Sequence, residues 1–418
     1  MFTNYLKITW AVLKRRKLFT FISLFGISLT LTVLIVVVAF LDHLIAPNYP
    51  EFQRKKLLYI DRVRLKDTTQ LGANTSAVGF HFIKEYISKL KTPEKIAFAT
   101  SPRTINGYSP NGNKIRMFQK YTDANFWEVT DFSFLEGRHY TQNDIDMNAS
   151  VVVINEHIRD EYFGKGIPVT GKSFEVDNVN YQVIGVIRGS PITRFYTAAD
   201  IYIPYNLTKD DLKSTELLGP YIVFLRGINR QNLLDIKAEF AEVVRRLPIP
   251  AGNEWFKPNI IYAYAESYLE GMSRQIFTNG SDGGLKYFYI VLVSFMVLFM
   301  TLPAINLVNI NMNRIMERAS EIGIRKAFGA TSATLTWQFI IENVILSVLG
   351  SGIAVILSVG VIYYINHSGL IPNADLVVNW AVLGWTIVIS MVFGLFSGVY
   401  PAWRMSKLQV VQALNGGD

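Results

Sequence analysis

Residues Gly166–Ser173, GIPVTGKS, have the spacing of a phosphate-cradling loop, in which backbone N–H groups and a lysine hold the phosphates of a nucleotide. That chemistry needs a strand before the loop and a helix after it, because the helix N-terminus supplies the donors. Here a helix-like stretch, EHIRDEYFG, precedes the loop and a strand-like stretch rich in Val, Phe and Tyr follows, so no nucleotide is expected. Asp144, Asp146 and Asn148 open like a calcium loop. The sixth position is Ala149 where glycine is needed for the turn, and the twelfth is Asn155 where a bidentate glutamate is needed. The histidines at 43, 81, 139, 157 and 367 are scattered, and the chain has no cysteine, which excludes disulfides, thiolate metal sites and cysteine nucleophiles. Catalysis has no candidate residue, and neither a cofactor nor a metal is expected.

A different chemistry, that of docking, fits Asn309–Thr331, NINMNRIMERASEIGIRKAFGAT. Ile315, Ala319 and Ile322 recur at helical spacing, with Met316, Gly323 and Ala327 as a neighbouring strip. Glu321 stands four residues before Arg325, the favourable order for a helical ion pair. Gly329 ends such a helix, and Thr331 or Ser332 can cap the next. A loop that only sets membrane topology needs positive charge alone. The apolar strip among paired charges therefore marks a surface that docks a partner.

The elements around this segment are those of a membrane protein. Of the 418 residues half are hydrophobic, the formal net charge is +8 and mean hydropathy is positive, too apolar for a simple soluble domain and too polar for a pure bundle. After a basic N-terminus (1–17, with Lys14, Arg15, Arg16 and Lys17), residues 18–41 are long enough to cross a bilayer and longer than the apolar core of a cleaved signal peptide. Residues 42–286 alternate strand-like and amphipathic runs, with strands near LLYIDRVRL, KIAFAT, SVVVIN, YQVIGVI and ADIYIPY. A helix over 232–247 carries Leu233, Ile236, Phe240 and Val244 on one face. This pattern predicts an α+β domain with an inserted β-rich part. Further spans are expected at 287–310, interrupted by Pro303, at 344–364 and at 380–400. Residues 311–343 then form the docking helix and the interfacial start of the third span, with Glu342 either reaching water, the favoured reading, or pairing with a nearby basic residue. A short outer loop covers 365–379 and a tail 401–418. Lys and Arg crowd the N-terminus, 314–326 and the tail (Arg404, Lys407), while Asn366–Asn379 has none, so the large domain is placed outside the cytoplasm. Ser390, Gly394 and Gly398, like Ser347 and Ser351, recur every four residues and suit close helix packing.

Together these features resemble the permease subunit of an ABC transporter of the MacB/FtsX type, over the whole chain. The most specific element is RASEIGIRKAFGAT (Arg318–Thr331) with Gln338, Phe339 and Glu342, which is similar to the family's cytoplasmic coupling segment. The tail YPAWRMSKLQVVQAL (Tyr400–Leu414) and, in the outer domain, FLEGR (Phe134–Arg138), SVVVINE (Ser150–Glu156), YFG (Tyr162–Gly164) and VIGVI (Val183–Ile187) also resemble the family. Its frequent Asn-Pro-Ile-Gly-Lys turn is here Pro168-Val169-Thr170-Gly171-Lys172, which accounts for the phosphate-loop mimic. The resemblance implies a non-hydrolysing subunit with four spans and a two-part outer domain, porter-like and β-rich. A separate cytoplasmic ABC ATPase would push on Arg318, Glu321, Ile322, Gly323, Ile324, Arg325, Lys326, Phe328 and Gly329. It also implies a second copy or sister permease, allows a periplasmic adaptor, and involves membrane lipid but no nucleic acid. The location is the cell membrane, the inner one in a Gram-negative cell. The rival reading is a membrane-anchored receptor sensing an outside ligand; it would need an inside effector, for which the cytoplasmic segments are short.

Overall fold

The structure is a computed structural model that describes residues 14, 17–110, 112–278, 283–317, 324, 328, 331–370 and 376–377, and eleven positions from 380 to 399. The chain divides into two units, an α+β unit of Leu44–Phe288 and a helical unit formed by the flanking residues.

Helix α1 (Lys17–Ile45) belongs almost wholly to the helical unit. The α+β unit begins with β1 (Leu57–Ile60), β2 (Val63–Asp67) and β3 (Gly72–Val78), then helix α2 (Phe80–Glu85) and β4 (Lys95–Thr100). Next come β5 (Arg103–Tyr108), β6 (Lys114–Thr122), α3 (Phe126–Val129), β7 (Phe134–Gly137) and α4 (Gln142–Asp146). They are followed by β8 (Val151–Asn155), α5 (Glu156–Phe163), β9 (Ser173–Val176), β10 (Val179–Ile187) and β11 (Ile201–Pro204). β12 (Leu218–Gly219), β13 (Tyr221–Arg226), α6 (Arg230–Arg245), β14 (Ile260–Ala263) and α7 (Tyr268–Phe277) close the unit.

Local chemistry sets the boundaries. The β-branched run of β8 is buried at every position, and Asn155 ends it by capping α5, its side chain accepting the Ile158 N–H at 2.8 Å. Gly164, at φ +103°, stops α5 in a conformation open to glycine. Asn229 caps α6 by accepting the Asn232 N–H, and Ile236 and Phe240 are buried on the face read from sequence, with Leu233 and Val244 beside them. Helix α2 is short: Tyr86 leaves the helical region, and a 3-10 turn over Ile87–Lys89 follows.

The strands pair in one mixed sheet along β14-β2-β3-β13-β4-β6-β11-β8-β10-β7, with β1 on β13, β12 on β3, β5 on β6 and β9 on β10. Neighbours β4 and β13 are antiparallel, with Tyr221 opposite Thr100, and everything between them is inserted at that point. The inserted strands continue the same sheet through Ala99 opposite Thr122. Phe82, Ile236 and Phe240 form a core under α2 and α6; Phe126, Trp127, Tyr202 and Phe224 form a central one; Ile154, Phe174, Val186 and Ile203 form a third.

In the helical unit, α8 (Leu285–Glu317) runs on through Pro303. The expected interruption does not occur, since a proline's missing N–H removes one ladder bond without ending the helix when neighbouring groups compensate. α9 (Ser332–His367) follows. Thr20–Ile45 and Ile340–His367 are each long and apolar enough to cross a bilayer, and Leu285–Phe299 is a shorter apolar stretch. α1 and α9 meet through small residues: a Cβ on Gly350 would lie 2.6 Å from Ile27, and Thr32 Oγ1 donates to the Ala354 carbonyl at 3.3 Å. Ser347 and Ser351 are buried on this stripe. So is Glu342, only 3 % exposed; the expected reach to water is corrected, because its position falls on the stripe of α9 that packs inward.

Candidate functional site

Of the expected contact residues Arg318–Gly329, Ile324 and Phe328 are described. They sit one helical turn apart, the Phe328 N–H donating to the Ile324 carbonyl at 3.0 Å, and both are exposed, Phe328 at 89 %. Helical backbone reaches Glu317 on one side, and on the other Thr331 caps α9 by accepting the Thr334 N–H. Arg318, Glu321, Ile322, Gly323, Arg325, Lys326 and Gly329 lie outside the described residues, as do Ser390, Gly394 and Gly398.

The most concentrated polar chemistry of the α+β unit is a buried ionic junction that the sequence did not single out. Residues 46–54, which follow α1, carry Glu51 and Arg54; the loop between β10 and β11 carries Arg194 and Thr197. All four side chains are buried. Arg54 Nε lies 2.5 Å from Glu51 Oε2, and Thr197 Oγ1 donates to Glu51 Oε1 at 2.6 Å. Arg194 Nη1 stands 4.0 Å from the same carboxylate and donates to the Ala46 carbonyl at 3.0 Å, while Arg54 Nη1 donates to that of Leu44. Burial, with Arg54 nearby, holds the Arg194 guanidinium below its usual value. The Arg54 guanidinium also lies 4.1 Å from the ring centre of Tyr268, the first residue of α7. Two outer ties complete the clamp: Tyr49 Oη donates to the Arg188 carbonyl at 2.7 Å, and the Gln53 side chain donates to Asp131 at 3.2 Å.

Lys120 in β6 is wholly buried behind this junction, its Nζ donating to the Thr100 carbonyl at 2.8 Å. Loss of hydration brings its ammonium down to about 7, against the pull of Glu51. α7 is fixed in turn by a Ser267–Glu270 capping box and by Arg274, 2.6 Å from Glu266. The whole assembly bonds the segment after α1 and the helix before α8 into one unit. Such charge-assisted bonds are short and directional, and in a buried network they strengthen one another.

Two family models match the chain. The MacB-like periplasmic core domain covers residues 20–233, and the FtsX-like permease C-terminal model covers 293–410. The chain belongs to the MacB/FtsX-type ABC transporter permeases. It is 26 % identical over 302 residues to an uncharacterized ABC transporter permease, YvrN, of Bacillus subtilis (strain 168), covering 70 % of this chain and 68 % of that one. It is 25 % identical over 331 residues to the pyoverdine export ATP-binding/permease protein PvdT of Pseudomonas aeruginosa, covering 76 % of this chain and 46 % of PvdT. The periplasmic region of MacB from Actinobacillus actinomycetemcomitans superposes with a TM-score of 0.38 at 12 % identity, over 53 % of this chain and 94 % of that one.

In this MacB/FtsX-type permease the phosphate-loop mimic is a turn between α5 and β9: the required strand and helix are reversed, and Gly171 N–H donates to the Val183 carbonyl at 2.7 Å. Asp144 of the calcium-loop mimic is engaged by Arg138 at 2.7 Å and caps α4 with Thr141. Among the described residues no group of three or more His, Cys, Asp or Glu side chains could hold a metal ion.

Proposed function

We propose that this chain is the membrane-spanning subunit of an ABC transporter, passing the ATP-driven motion of a separate cytoplasmic ATPase to its α+β unit outside the cytoplasm. It crosses the cell membrane four times, at 18–41, 287–310, 344–364 and 380–400, and works beside a second copy or a sister permease. ATP hydrolysis belongs to the ATPase, which docks on Arg318–Gly329. There Ile322, Gly323, Ile324 and Phe328 offer the apolar contact, and Glu321, Arg325 and Lys326 the charged rim. The work is export, extraction or force applied to a partner, and a periplasmic adaptor is compatible with it. The observation that supports this reading is the buried clamp of Glu51, Arg54 and Arg194, which ties residues 46–54 to the loop between β10 and β11 within the α+β unit.

The test is co-expression with the ATPase. Truncating or disrupting an apolar anchor at such a contact costs about 2 kcal/mol or more, roughly thirtyfold in affinity, whereas exposed ion pairs are worth less than about 1 kcal/mol. Ile322→Asp and Gly323→Trp should leave expression intact, weaken co-purification and abolish transport-linked stimulation of ATP hydrolysis; Arg325→Ala should do less. Wild-type binding and stimulation in both disruptive variants would move the coupling contact elsewhere, first to Arg404–Leu414.

A further inference from the structure

A cleft of about 340 Å³ opens on the α+β unit between β6, α5 and the loop joining β10 to β11. Phe118 lines it from the strand, and Ile192 and Phe195 from the loop, about half exposed at 47 % and 50 %. Two basic side chains border this apolar surface, Arg116 and His157. Arg116 is exposed and has no side-chain partner among the described residues, while His157 Nε2 lies 3.4 Å from Glu161. The one carboxylate of the lining, Asp200, is already engaged. Its Oδ2 accepts the Phe118 N–H at 2.7 Å, and its Oδ1 accepts from Asn155 Nδ2 at 2.8 Å. An uncommitted guanidinium beside exposed aromatic and aliphatic groups, in a space of small-molecule size, is complementary to an apolar body bearing one negative group.

The loop that lines the cleft is the loop that holds the junction. Ile192 and Phe195 point into the cleft; Arg194 and Thr197, from the same turn, are buried in the junction. The turn is internally bonded, Arg194 N–H to the Pro191 carbonyl and Thr197 N–H to the Arg194 carbonyl, both at 2.9 Å. Tyr202 Oη pins its far end on the Thr197 carbonyl at 2.9 Å. A body seated against Phe195 therefore bears on a stiff turn whose other side grips Ala46. Along β6 the same relation repeats, since Phe118 in the cleft and Lys120 behind the junction share one face of the strand.

We propose that this cleft binds a small organic anion with an apolar body, its carboxylate or phosphate on Arg116 and its body on Phe118, Ile192 and Phe195, and that occupancy tightens the loop's hold on residues 44–54. The second half rests on the reading of the junction as a clamp; the first half does not.

The test is amide hydrogen exchange of the full chain in nanodiscs, with 4-phenylbutyrate as probe and its uncharged amide as control. Phenylbutyrate should slow exchange severalfold over 191–199 and also over 44–54, whereas the amide should leave both at the ligand-free rate. Arg116→Gln should remove the protection by phenylbutyrate, and Phe195→Ala should weaken it. Equal protection by probe and amide would overturn recognition of the anion, and no protection by either would overturn the site. Protection confined to 191–199 would leave the ligand site standing and overturn the link to the junction. Loss of ATPase coupling in Ile322→Asp with the exchange response unchanged would separate this inference from the docking proposal.

Discussion

The junction of the α+β unit and the α1–α9 seam of the helical unit both bury polar groups, by opposite means. In the junction a carboxylate is shared by Arg54, Thr197 and Arg194, with a buried lysine behind them. In the seam, around Thr32 and Ser347–Ala354, the buried groups are hydroxyls. Thr32 bonds to the carbonyl of Ser28 at 2.7 Å, and Ser351 to that of Ser347 at 2.7 Å. Helices meet there by close approach of Gly350 and Ala354 rather than by charge. A hydroxyl seam constrains distance and leaves rotation and sliding comparatively free. An ionic junction constrains direction as well.

The comparison breaks most severely at Glu51. Glu51→Gln removes the carboxylate that two buried guanidinium groups share, a change of the class that costs about 3–5 kcal/mol. The denaturation midpoint of the α+β unit should fall sharply while the helical unit retains its far-ultraviolet signal. A midpoint like that of wild type would show that the junction is not a structural clamp.

Charge also makes the α+β unit sensitive to pH. Burial takes Lys120 from 10.5 to about 7 and Asp123 from 3.8 up to about 7, the latter in spite of N–H bonds from Phe98 and Phe126. Between about 7 and 10.5 the unfolded chain holds a proton on Lys120 that the folded chain has released, so stability rises with pH, by up to about 1.4 kcal/mol per pH unit. Between 3.8 and about 7 the folded chain keeps a proton on Asp123 that the unfolded chain has lost, so stability falls as pH rises. Urea midpoints across this range should lose the alkaline rise in Lys120→Met and the acid-side fall in Asp123→Asn. An unchanged profile in both variants would contradict the burial of these groups.

The smallest effect is expected at the seam. Gly350→Leu drives a side chain into Ile27 and should cost about 1–3 kcal/mol, whereas the next small residue but one, Gly352, faces open space, and Gly352→Leu should stay within about 0.5 kcal/mol. Thermal unfolding in detergent separates the two. Equal losses would mean that α1 and α9 do not meet at Gly350.

Where periodicity and burial coincide, the fold was legible: α5, α6 and β8 follow from helical spacing, an Asn cap and a β-branched run. β3, GANTSAV, was not legible, because it is small and polar and becomes a strand through pairing with β2 along its length and with β12 and β13 at its end. The docking proposal rests on a local signal, a charged amphipathic run between apolar ones. The junction has no such signal, because Glu51 and Thr197 lie 146 residues apart and nothing near Arg194 marks it as buried. The pair Glu51 and Arg54, three apart beside the end of a span, was the one available hint.

The insertion between β4 and β13 carries a thermodynamic consequence. By connectivity it is a long loop closing a hairpin at Thr100 and Tyr221, and a short turn could join those neighbours. By packing it is not detachable. Ala97, Ala99, Ile222 and Phe224 of the hairpin share the central core with Phe126, Trp127, Tyr140 and Tyr202 of the insertion. Excision would strip that face bare. The two parts must therefore melt together: Leu44–Gly284 produced alone should give one calorimetric transition, its van't Hoff and calorimetric enthalpies equal, despite its two-part appearance.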